Sequence, residues 1–261
     1  MMRACFVDCT PEMRALFDIG ALVIPDDVTV NYGNPSTEDI IRICQTVDVL
    51  MVEHTPLSSQ VLDQCANLKA VIFLGTGAET YIDLKEAEAR GIKVLTTPGY
   101  GDLAVAEHAF ALMMSASRRV ARMDRDLRKG VWRPLGGVQL TGRKVAVIGL
   151  GGIGRTFADL CSGFGMRVSG WNRNKVDHPC YCQDLTEVLS GADFVSLHLA
   201  LTDETAGFLG KRELILPKDG YFLVNTAQAQ LVDEAALREL WCAAVVRAKA
   251  AKHVTAAEIA R

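Results

Sequence analysis

The chain has 261 residues, of which 49% are hydrophobic and 23% charged, and a formal net charge of -3. That is enough apolar material for one large domain or two ordinary ones. A balanced charge without a basic run argues against a nucleic-acid surface.

Residues 1–10 read as a short strand rather than a charged segment leading into an apolar signal. No apolar stretch is long enough to span a bilayer, so the expected setting is the cytoplasm. Eight cysteines are scattered along the chain and read as reduced thiols. Cys180 and Cys182 lie near His178, but no second ligand pair stands at zinc spacing, so no metal is expected.

In chain order, strands are expected over residues 4–8, 47–52, 70–74 and 92–95. Helices are expected over 38–44, 59–64 and 84–90, the last closed by Gly91. Pro98, Gly99 and Gly101 break the pattern. Residues 104–129 then read as one long helix, apolar up to 116 and rich in Arg beyond it. The second half alternates again. Strands are expected over 144–148, 167–171, 194–199 and 221–224, and helices over 153–164, 185–189 and 233–247. Such alternation predicts parallel sheets of the α/β class.

The run Lys144 to Arg155 is an apolar strand, a glycine turn and a helix start, with glycines at 149, 151 and 154. In that context G-x-G-x-x-G reads as a dinucleotide-binding loop. Gly149 permits the tight turn, Gly151 admits a pyrophosphate to the backbone, and Gly154 lets the helix pack on the strand. The helix start supplies N–H donors and partial positive charge. The next strand ends in Asn172-Arg173 with no carboxylate to accept from a ribose 2′-hydroxyl. Arg173 suits a 2′-phosphate, so NADP is favoured over NAD; stacking of Arg173 on the adenine would serve both.

Several blocks carry a wider resemblance. They are Leu140-Thr141-Gly142-Arg143 before the glycine loop, residues 192–202 with Glu204-Thr205, and Leu223-Val224-Asn225-Thr226-Ala227 with residues 231–237. A fourth runs from Arg90 to Val94 and on through Pro98-Gly99 to residues 105–108. With these the chain resembles the D-isomer-specific 2-hydroxyacid dehydrogenases.

The resemblance implies a Rossmann-type doubly wound parallel sheet plus a smaller flavodoxin-like α/β substrate domain. Residues 1–100 would form the substrate domain. Residues 101–261 would form the NAD(P)-binding domain, including the long connecting helix. The expected activity interconverts a small 2-oxo acid and its D-2-hydroxy acid. Backbone N–H groups at Glu53, His54, Gly75, Thr76 and Gly77 would hold the substrate carboxylate. Val105, Thr226, Ala227 and Gln228 would lie by the nicotinamide, Gly152 and Ile153 by the pyrophosphate, and His198, Leu199 and Ala200 by the adenosine. The helix after residue 101 would build a homodimer.

The chain departs from that pattern at its chemistry. Gln228 stands where the family has a substrate-binding Arg. A Gln donates a hydrogen bond without charge or fork. The family's Glu and His pair, and the C-terminal segment that returns to the first domain, are not legible after Trp241. The end is therefore expected to be truncated or frame-shifted. His253 and Glu258 are the remaining candidates for the pair. The alternative reading is a catalytically impaired NAD(P)-binding protein, a redox sensor or interaction module.

Overall fold

The computed structural model describes residues 2–75 and 77–250, the last eight of these by backbone alone. The chain divides into two compact units, Met1–Tyr100 and Gly101–Arg261. Among the described residues no helix is long and apolar enough to cross a membrane.

The first unit runs β1 (Ala4–Cys9), α1 (Pro11–Asp18), β2 (Val28–Tyr32), α2 (Thr37–Cys44) and β3 (Val49–Val52). It continues through α3 (Ser59–Asp63), β4 (Ala70–Phe73), α4 (Leu84–Ala89) and β5 (Lys93–Leu95). The strands form a parallel sheet ordered β2-β1-β3-β4-β5. That is the flavodoxin order, in which ligands bind at the carboxyl ends of β1 and β3, where the winding reverses. Val7, Leu50, Val52 and Val71 are fully buried in its core.

Two elements here went unpredicted. Helix α1 starts from Thr10, whose side chain accepts from the Met13 N–H, with Pro11 as its first residue. Strand β2 lies at the sheet edge, and none of its residues is buried. One expectation is corrected: Cys44, ending α2, is disulfide-bonded to Cys65 after α3, with the Cα atoms 4.9 Å apart. The cysteines lie on different elements packed into one core, a juxtaposition that their separation of 21 residues conceals.

The second unit opens with α5 (Asp102–Arg118) and α6 (Val120–Arg128). Then come β6 (Lys144–Ile148), α7 (Gly152–Gly163), β7 (Arg167–Trp171), α8 (Leu185–Leu189) and β8 (Phe194–Leu197). Helix α9 (Lys211–Leu214), β9 (Phe222–Asn225) and α10 (Glu234–Ala250) complete it. The sheet is parallel, ordered β7-β6-β8-β9. It is buried on both faces. Val145 and Val147 of β6 pack with α5 and α7, while Ala146 and Ile148 pack with α8 and the segment around Leu209. This alternation is the period-two consequence of the strand pleat.

The single long helix expected over residues 104–129 is instead two. Arg119 takes a left-handed conformation, φ 56°, and ends α5. The Ser117 carbonyl accepts from the Val138 N–H, which returns from beyond α6. Tertiary pairing thus takes the acceptor that a continuing helix would have used.

Candidate functional site

The turn after β6 is built by glycines with different tasks. Gly149 sits at φ 98°, and a Cβ there would come within 2.6 Å of the His198 carbonyl oxygen. It therefore lets the ends of β6 and β8 touch. A Cβ at Gly154 would fall on the Gly149 carbonyl oxygen, so this glycine brings α7 onto the strand. Gly151, with φ -69° and ψ -167°, lies in ordinary extended backbone, and a Cβ there would meet nothing within 4 Å. The chain's own packing gives no reason for a glycine at 151. The space beside it lies at the start of α7, where the helix end presents N–H donors and partial positive charge. An anion with several oxygens fits that chemistry.

The turn is tied to the end of β7. The Leu150 N–H donates to the Asn172 side-chain oxygen at 3.1 Å, and the Asn172 amide donates to the Asn174 carbonyl at 2.9 Å. A cavity of about 210 Å³ opens beside this end, lined by Asn172, Arg173, Leu199, Ala200 and Glu204 among others. Arg173 is ion-paired to Glu204. No reading of the strand end alone could find that partner, which lies 31 residues on.

His198 lies behind the turn. Its ring packs on Phe157 with centroids 5.0 Å apart, and its Nε2 lies 2.9 Å from the Ser196 hydroxyl. Burial pushes its pKa down to about 4, so the imidazole is neutral near pH 7.

Past β9, the Asn225 side chain accepts from the Ala227 N–H and donates to the Gln228 carbonyl. This local turn places Thr226, Ala227 and Gln228 beyond the carboxyl end of the strand. Val105 lies in the first turn of α5, its N–H bonded to the Gly101 carbonyl. Asp102 begins that helix, and a Cβ at Gly152 would fall on its carboxylate. Sequence reasoning missed Asp102 because nothing local marks a contact across 50 residues.

In the first unit, the carboxyl ends of β1 and β3 meet through Asp8. Its fully buried carboxylate accepts from the backbone N–H groups of Glu53 (2.9 Å), His54 (2.8 Å) and Thr55 (2.8 Å). This corrects the expectation that the Glu53 and His54 N–H groups hold a substrate carboxylate; they already hold one of the chain's own. The side chains remain. The His54 Nε2 lies 2.6 Å from the Asn34 oxygen, and the Nδ1 lies 3.9 Å from the Glu53 carboxylate. Burial pushes the Glu53 carboxyl above its usual range, and one of its oxygens has no hydrogen-bond partner.

Gly75 lies against the Phe73 ring, where a Cβ would come within 2.5 Å, and its carbonyl accepts from the Thr97 N–H. The Gly77 carbonyl accepts from the Thr80 N–H and opens a short 3-10 turn. Thr76, His253 and Glu258 lie outside the described residues. Among the described residues no group of three or more side chains could hold a metal ion. The His178 Nδ1 instead lies 3.0 Å from the Cys180 sulfur.

Comparison with known proteins gives these features a context. Residues 110–254 match the family described as D-isomer specific 2-hydroxyacid dehydrogenase, NAD binding domain. The chain is 34% identical to a hydroxypyruvate reductase of Thermotoga maritima, over 84% of this chain and 72% of that protein. It is 33% identical to a D-3-phosphoglycerate dehydrogenase of Archaeoglobus fulgidus, over 82% of this chain but only 42% of that one. Among solved structures, an acyclic imino acid reductase in complex with NADPH and D-Arg superposes with a TM-score of 0.80. It is 28% identical and covers 93% of this chain and 80% of its own.

Proposed function

Because the chain belongs to the D-isomer-specific 2-hydroxyacid dehydrogenases, a family of oxidoreductases, we propose that its second unit binds NADP in preference to NAD. We propose that its first unit takes a small 2-oxo or 2-hydroxy acid. One observation carries the cofactor reading. The space beside Gly151 is empty of protein, at the amino end of a helix, in a backbone conformation that any residue can adopt. A glycine is needed there only if something outside the chain comes close.

The residues fit the group. Gly151, Gly152, Ile153 and Gly154 would receive the pyrophosphate. Asn172, Arg173, His198, Leu199 and Ala200 would border the adenosine, with His198 contributing backbone rather than imidazole. Val105, Thr226, Ala227 and Gln228 would border the nicotinamide. When bound, this cofactor would supply hydride-transfer chemistry. Arg173 supports the preference for NADP, since a 2′-phosphate offers it a better partner than the exposed Glu204. The likeness to a reductase in complex with NADPH points the same way. In the first unit, Gly75, Thr76 and Gly77 remain the proposed holders of the substrate carboxylate, with Glu53 and His54 offering side chains alone.

Gln228 supports a second reading, binding with little turnover. It can donate to a 2-oxo acid, but a neutral amide forgoes the charge-assisted contact of an Arg. That loss is worth about 1.5–3 kcal/mol, or roughly ten- to a hundredfold in rate. The exposed apolar side chains Leu103, Leu112 and Leu127 support a homodimer through α5 and α6, which sedimentation would test.

The readings separate in one experiment. NADPH and NADH are titrated into the chain, and NADPH oxidation is then followed with glyoxylate, hydroxypyruvate and pyruvate. Tighter NADPH binding with turnover supports the reductase. Binding without turnover above background supports the impaired protein. Absence of dinucleotide binding rejects both.

A further inference from the structure

A carboxylate lies against the start of α7. Gly152 is the first residue of that helix, and the room its Cβ would take is filled by Asp102, one oxygen of which lies 2.9 Å from that position and the other nearer still. Asp102 is half-buried and makes no ion pair among the described residues. As the first residue of α5 it also favours the positive end of its own helix. That role alone asks only for an acid in the first turn. It does not ask for a side chain fitted into a gap that any residue but glycine at 152 would close.

One carboxylate therefore lies beside two positive helix ends, and the start of α7 is the proposed diphosphate site. A helix amino end attracts an anion because its first N–H groups lack intrahelical partners. Here the Asp102 carboxylate lies beside that end. A bound diphosphate would come within a few ångströms of that charge, where repulsion between like charges is little screened. The basic group nearest in sequence is Arg155, one turn along α7, whose Nε lies 3.5 Å from the Gly151 carbonyl oxygen. It turns toward backbone rather than toward Asp102.

We propose that the Asp102 carboxylate, held beside the α7 amino end, opposes the cofactor's diphosphate and sets dinucleotide affinity through its charge. The proposal rests on the reading that the glycine loop binds a dinucleotide. It makes Asp102 a determinant of affinity acting on the phosphates, distinct from Arg173, which acts on the 2′-position.

The test compares NADPH binding by the full chain and by Asp102→Asn and Asp102→Thr, in EDTA so that no divalent cation bridges carboxylate to phosphate. Adenosine, which has the base and ribose but no phosphate, serves as the second probe. Both variants should bind NADPH about tenfold more tightly or better. The gain should shrink as salt is raised, and adenosine binding should stay unchanged. The two variants differ in shape, so a packing defect in one would not reproduce the result in the other. The proposal is overturned if wild type binds NADPH and both variants match it within roughly twofold, or if adenosine gains equally. If no form of the chain binds NADPH, the dinucleotide reading falls and takes this one with it.

Discussion

Single residues at the two sheet ends hold opposite kinds of charge. Asp8 is a buried anion that three consecutive N–H groups satisfy, and it fixes the loop carrying Glu53 and His54. Asp8→Ala would strand those donors away from water, each at a cost of about 1–3 kcal/mol. Urea unfolding should show a loss of at least about 3 kcal/mol, with Asp8→Asn losing less because it keeps one acceptor oxygen. A loss under about 1 kcal/mol would mean that the loop is held elsewhere. At the other sheet, the Arg173–Glu204 pair is exposed on both sides and so worth little by itself. Glu204→Gln should strengthen NADPH binding severalfold at most and leave NADH unchanged. Arg173→Gln should abolish the NADPH preference. Equal effects on both cofactors would place Arg173 on the adenine instead.

At the scale of elements, α5 and α6 are separated by one residue in an unusual conformation. Left-handed backbone at a residue with a Cβ costs on the order of 1 kcal/mol. Arg119→Gly should therefore raise stability by up to about 1 kcal/mol in a thermal melt. A clear loss would show that the Arg119 side chain contributes more than its backbone costs. The break was illegible in sequence because residues 104–129 carry no Gly or Pro before Gly130 and suit one helix throughout. Its cause is the Val138 N–H, delivered by chain well downstream of Arg119.

The same rule separates what could be read from what could not. The glycine loop was legible because strand, turn and helix are contiguous, as were the parallel strands with their apolar runs. The disulfide, the Asp8 anchor, the Glu204 partner and the Asp102 contact all join residues that only the fold brings together. Helix α1 is different. Its start signal, Thr10-Pro11-Glu12, stands in the sequence itself. The edge strand β2, with its exposed alternation, gave too little apolar signal to separate from a loop.

At the scale of the whole molecule, the fold keeps one imidazole neutral. His198 has a folded pKa of about 4 against an ordinary 6.5. Below pH 6.5 the unfolded chain takes up a proton there that the native state refuses until about pH 4. Stability is therefore full above 6.5 and falls through that window, by about 3 kcal/mol in total. His198→Gln should flatten the pH dependence of the urea midpoint between pH 6.5 and 4, whatever its effect at pH 7. An unchanged slope would assign the acid sensitivity to other groups.

Gly151→Val probes whether the glycine turn of the second unit is shaped for a dinucleotide. The side chain enters space that no protein atom occupies, so folding should be affected by about 1 kcal/mol or less, as at other helix caps. The natural chain should bind NADPH saturably at one to one, and a Gly151→Val variant of nearly unchanged melting temperature should lose that binding. Equal binding by the two proteins, or none by the natural chain, would contradict a turn shaped for a dinucleotide.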